Sequence, residues 1–107
     1  MALLPDAVQG ARYLVRYISW VDGDGDPMNL TDATLTGKKQ SLETGTVTEL
    51  DGVLTVVEPG TAGVFTWKYG VNDVAAAGEF LIQITATFPG DLTDRTMLEE
   101  WTVHRAL

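Results

Sequence analysis

In the stretch EFLIQITATF, apolar and polar side chains alternate almost without a break. Phe80, Ile82, Ile84, Ala86 and Phe88 fall on one side, and Leu81, Gln83, Thr85 and Thr87 on the other. Successive side chains of an extended chain point to opposite faces, so this pattern predicts a strand with one buried face. The period of two recurs in GVFTWKYG, where Phe65, Trp67 and Tyr69 oppose Val64, Thr66 and Lys68. In RYLVRYISW, Tyr13, Val15 and Tyr17 oppose Leu14, Arg16 and Ile18; both sides carry apolar groups, which predicts a strand covered on both faces. ATLTGKKQS, VLTVVE, RTMLEEWTVHR and the shorter GTVTEL read as further strands. The one helical hint is NDVAAAGE, with Asp73 as cap, Val74 to Ala77 as a single turn and Gly78 as its end.

Turn residues punctuate these runs. Asp51-Gly52 lies between TVTEL and VLTVVE and predicts a hairpin, because both central positions of a type I′ turn need a positive φ. Pro59-Gly60 closes the next strand, and Phe88-Pro89-Gly90-Asp91 opens a further hairpin. About seven short strands with frequent turns and no long helix describe an all-β sandwich, with a small barrel as the alternative. The chain divides into an N-terminal arm, residues 1–11, and one sandwich domain, residues 12–107. At 107 residues a core can form without disulfides, and the chain has no cysteine to make one.

The formal charge of −8, with the 7 basic residues scattered, disfavours nucleic acid and anionic membranes as partners. MALLPDAVQGA lacks a basic segment ahead of its apolar residues, and Pro5 and Asp6 interrupt the run, so no secretory leader is expected. No window approaches the roughly 20 apolar residues of a membrane-spanning helix.

Asp22, Asp24 and Asp26 in VDGDGDPMNLTDATLTG are spaced like the first ligands of an EF-hand loop. Such a loop needs Gly at its sixth position and Glu at its twelfth, where this sequence has Pro27 and Ala33. Two readings stay open: a loose divalent-cation site, and a solvated turn whose side chains satisfy local backbone amides. Glu99 and Glu100 are neighbours on a strand, so they point to opposite faces and cannot share a substrate. His104 is the lone histidine; neither Ser19 nor Ser41 sits in a nucleophile elbow to join it, and no second His or Cys could complete a zinc site. No glycine-rich phosphate loop occurs, since Gly23 and Gly25 precede Pro27 and not a helix. Trp67 alternates with core residues, whereas Trp20 abuts the Asp/Gly loop and is the better contact residue.

The runs WVDGDGDPMNLTDATLTGK, DGVLTVVEPGTAGVFTWKYGVNDVAAAGEFLIQITATFPGD and WTVHR resemble the N-terminal domain of tailed-phage baseplate upper proteins, and small immunoglobulin-like phage structural proteins. In that pattern a strand ends in a D-x-x-G-x-P turn, here Asp22 to Pro27, and restarts at Leu30-Thr31 with Ala33-Thr34. Ala62 to Trp67 match its central strand, and Asp73 with Ala77 to Phe80 its crossover. The sequence departs from it at Asp32, where glycine is preferred, and at Gly90-Asp91, which reverses the usual D-G. Baseplate upper proteins continue well beyond this module, so a small stand-alone virion component fits the length better.

The resemblance implies an immunoglobulin-like antiparallel β-sandwich of about seven short strands, with Asp22 to Pro27 as a tight polar turn and no metal. It implies a non-enzymatic structural role in the baseplate, tail or neck, without a cofactor. Other virion proteins and further copies of the same chain are the expected partners, in the virion and, during assembly, in the host cytoplasm. Leu3 and Leu4 on the arm, Trp20, and the loop residues Asp22 and Asp24 are the expected contact residues. The alternatives are a capsid-decorating protein and a sugar- or host-binding adhesion module.

Overall fold

The computed structural model describes residues 4, 6–11, 15–90 and 95–106. Within them the chain forms β1 (Ala7–Val8), β2 (Val15–Ser19), β3 (Thr34–Ser41), β4 (Val47–Glu49), β5 (Val53–Val56), β6 (Val64–Lys68), β7 (Gly78–Thr87) and β8 (Arg95–His104). A single 3-10 turn, Gly60–Ala62, leads into β6. Two sheets result, one ordered β1-β8-β7-β3-β4 and the other β2-β6-β5. Neighbours pair antiparallel except β1, which runs parallel to β8. Reading β2 to β8 as strands B, C, C′, D, E, F and G gives a G-F-C-C′ sheet facing a B-E-D sheet. This is the connectivity of an immunoglobulin-like sandwich. Two separate sheets, and not one closed sheet, set the barrel aside.

The alternation predicted for EFLIQITATF holds along β7. Phe80, Ile82, Ile84 and Ala86 are buried, and the intervening residues face outward. Phe65, Trp67 and Tyr69 are likewise buried from the opposite sheet. With Trp101 they form an aromatic centre: Trp67 lies 4.7 Å from both Tyr69 and Trp101, and Phe80 lies 5.9 Å from Trp101. Each enclosed tryptophan contributes roughly 4–6 kcal/mol of gross transfer free energy. Ile18, Ile82 and Ile84 belong to the same core, which coheres without the inter-sheet disulfide of antibody domains.

Four expectations are corrected. Asp51-Gly52 does not close a hairpin: β4 and β5 lie in different sheets, and neither turn residue has the positive φ that a type I′ turn needs. The turn instead carries the chain across the sandwich. NDVAAAGE forms turns and bends in place of a helical turn, because the Asp73 side chain is drawn inward. β2 is covered on one face only, for Ile18 is buried while Val15 and Tyr17 are 45% and 70% exposed.

The fourth concerns the arm. Ala7 is buried and pairs with Val103, Val8 pairs with His104, and Leu4 packs against the core. The Gln9 amide donates to the His104 carbonyl at 2.8 Å, and Asp6 lies 2.9 Å from His104 Nε2. Among the described residues of the 1–11 arm, Ala7–Val8 is therefore an edge strand of the sandwich and Leu4 packs against its core; Leu3 lies outside the described residues.

Candidate functional site

The Asp/Gly loop closes on itself. Asp22 Oδ1 accepts the amides of Asp24 at 2.9 Å and Asp26 at 3.0 Å. The Asp22 amide donates to the Asp26 carbonyl at 2.8 Å, and the Gly25 amide to the Asp22 carbonyl at 3.0 Å. Gly25 supplies the positive φ of 84°, which a residue with a Cβ adopts at a cost. Val21 bridges Pro27, and the Met28 amide donates to the Trp20 carbonyl. Asp24 and Asp26 themselves are exposed. Of the two readings of this loop, the geometry matches a turn stabilised by its first aspartate. Among the described residues, no three acidic or histidine side chains converge in an arrangement that could hold a metal.

Trp20 is not a contact residue: it is 3% exposed and packs edge-on against Phe65 at 6.3 Å. Its loop turns back over the 3-10 turn. The Trp20 amide donates to the Gly63 carbonyl at 2.7 Å and the Leu30 amide to the Gly60 carbonyl at 2.9 Å, and these bonds draw the ring inward. Trp67 and Trp101 are also buried, so none of the three tryptophans offers a stacking platform. Asp32 has a φ of 62°, in the left-handed region that favours glycine.

Among the described residues the most heavily bonded carboxylate is that of Asp73, which reads in the sequence as a helix cap. Asp73 is 1% exposed. Its Oδ1 accepts the Asp51 amide at 2.7 Å, and its Oδ2 accepts the amides of Gly52 and Gly70, both at 2.9 Å, and Trp67 Nε1 at 3.2 Å. Asp51 reciprocates by accepting the Asn72 amide at 3.3 Å. Lys39 reaches across from β3 to the Asn72 carbonyl at 2.9 Å, with its ammonium 4.8 Å from the centre of the Phe80 ring. Burial lowers the Lys39 pKa, and the charge of Asp73 opposes that fall. This cluster ties the inter-sheet turn to the loop after β6. Both carboxylate oxygens of Asp73 accept from the protein's own donors, which is the work of a structural clamp.

Glu99 and Glu100 take opposite faces, as their adjacency requires: Glu99 is half-covered and Glu100 exposed. Burial, with the neighbouring charge of Glu100, raises the Glu99 pKa above its ordinary value. A groove of about 300 Å³ lies beside β3 and β5, lined by Leu35, Gly37, Leu50 and Leu54, with Lys38 and Glu49 also at its walls. Among the described residues no helix is long and apolar enough to cross a membrane.

The exposed large apolar side chains are not scattered. Val15, Tyr17 and Val53 lie on the outer face of β2-β6-β5, and Val8, Val47 and Leu98 on the outer face of the larger sheet. Only Leu42 and Val71 of this group sit in turns. No protein-family model matches this chain, and no curated protein matches it.

Proposed function

We propose that the chain is a non-enzymatic structural component of a tailed-phage virion, in the baseplate, tail or neck, acting through protein–protein assembly. The resemblance of its turns and central strands to phage virion modules supports the setting. The observation that carries the mode of action is the placement of its exposed apolar groups on the two outer sheet faces. Its buried carboxylate is occupied by backbone and indole donors, and the first aspartate of its acidic loop by the loop's own amides. What such a molecule presents to others is surface, and two largely β faces suit contact with other polypeptides.

The contact residues differ from those first expected. Trp20 and Leu4 serve the fold, and the outer faces replace them. Among the described aromatic residues Tyr17 alone is strongly exposed, and one ring does not make the row that sugar stacking uses, which favours assembly over adhesion.

The test is localisation of a tagged copy in phage particles by negative-stain imaging with a gold label. Label on the tail, neck or baseplate is the expected result. Label confined to expanded shells would convert the reading to capsid decoration. Particles without label, together with a glycan-array signal for the purified protein, would overturn it in favour of adhesion.

A further inference from the structure

The two outer faces differ in charge. On the face of β2-β6-β5, the outward positions are Val15, Tyr17 and Ser19, then Val64, Thr66 and Lys68, then Val53 and Thr55. In a chain of net charge −8, the described strand residues of that face include no carboxylate, and the one charge among them is the exposed Lys68. Strand register places Lys68 between Val15 and Val53, with Tyr17 in the next row. On the larger sheet the outward row Val47, Gln40, Leu81, Glu100 adjoins the row Glu49, Lys38, Gln83, Leu98. Its carboxylates are Glu49, Glu79 and Glu100, against Lys38. Between the two rows is a shallow depression of about 70 Å³, walled by Val47, Leu81 and Leu98 and the stems of Lys38, Gln40 and Gln83.

We propose that these faces dock on each other between copies of this chain: the Tyr17/Lys68 face of one copy covers the Val47/Leu98 face of the next. Both have apolar centres, and their charges are opposite in sign. Tyr17 is the projecting aromatic and the depression is the place that receives it. Pairing like with like would instead set Lys68 against Lys68, or Glu49 and Glu100 against their own copies. The contact is head-to-tail, so each bound copy leaves one face free at either end, and the assembly grows into a row or closes into a ring. A patch three strands wide and five residues long covers roughly 250 Å² of sheet plane, well under the 800 Å² or so per partner of a stable complex. Single contacts are therefore weak, and neighbouring copies held by a common scaffold strengthen them. This deepens the assembly reading by naming a partner, and rests on it only for the setting.

Sedimentation velocity over a concentration series, at low and high salt, tests the contact in the purified protein. Wild type is expected to self-associate at the highest concentrations and to lose that several-fold as salt screens Lys68 from the glutamates. Tyr17→Glu and Leu98→Glu alter exposed positions on opposite faces; circular dichroism checks that each folds. Each alone is expected to associate about tenfold or more weakly than wild type. Mixed, they are expected to form a one-to-one pair, the intact Tyr17 face of the Leu98→Glu copy meeting the intact Leu98 face of the other. Wild-type monomer throughout would overturn the proposal. So would one variant that associates as wild type does, since that marks a like-with-like contact through its unaltered face, and so would a mixture that stays monomeric. A monomer in solution that still labels phage tails would leave the virion role standing while this contact falls; self-association without particle labelling would do the reverse.

Discussion

The loop Asp22–Asp26 and the pair Asp51/Asp73 use the same residue types to opposite ends. In the first, Asp22 bonds amides two and four residues away, and the loop is complete within itself at the surface. In the second, Asp73 bonds amides 21 and 22 residues away and an indole in the core. The local loop costs little entropy to close and stabilises only itself. The distant pair holds the passage between the sheets, and one of its donors, the Trp67 indole, lies in the core where water is no substitute. The contrast shows that an aspartate's weight in this fold depends on what else could satisfy its partners, and not on how many bonds it makes.

The largest effect should come from Asp73. Asp73→Ala leaves the amides of Asp51, Gly52 and Gly70 and the Trp67 indole without their acceptor, and should cost about 3–5 kcal/mol in urea unfolding. Asp73→Asn keeps the size but turns an NH₂ group toward donors, and should recover little of that loss. A cost under about 1 kcal/mol for Asp73→Ala would mean that water enters and the clamp is not what joins the sheets.

That clamp also marks where sequence reading stops. Strand identity in β6, β7 and β8 is legible because each carries a buried face written at period two. Sheet membership is not: Asp51-Gly52 has the composition of a hairpin turn, and only Asp73, far along the chain, directs it across the sandwich. Trp20 departs from its sequence reading for a related reason. It abuts the polar Asp22–Asp26 loop, yet the backbone bonds to Gly63 and Met28 fold the ring inward. Asp22 was readable because its partners are its neighbours. The outer faces were half-readable: period two identifies Val15 and Tyr17 as a shared face, but both flanks of that strand are apolar, and only the packed sheets show which is left open.

Asp22→Ala should have a smaller and more local effect. Removing Oδ1 exposes two amides that water can reach, so the loss should be about 0.5–1 kcal/mol. Hydrogen exchange should quicken at the amides of Asp24 and Asp26 while the core amides of β7 keep their protection. Faster exchange throughout β7 would show that the loop anchors the sandwich, and would erase the distinction between the two regions.

Glu99 lies between these extremes, neither enclosed like Asp73 nor free like Asp24, and its substitution should have the smallest effect. Burial raises its folded pKa above the ordinary 4.5. The folded state therefore binds the proton more tightly than the unfolded chain does. That contribution is full below the unfolded value and is lost as pH rises through the folded one. At neutral pH the ionised carboxylate is thus a small net burden, discounted by the water that still reaches it. Glu99→Gln should raise stability by about 0.5 kcal/mol or less at pH 7, with the gain vanishing below about pH 4.5. Thermal melts at the two pH values measure this directly. A variant less stable than wild type at pH 7 would mean that the Glu99 carboxylate is held by a favourable partner, placing it with Asp73 as a carboxylate the fold depends on.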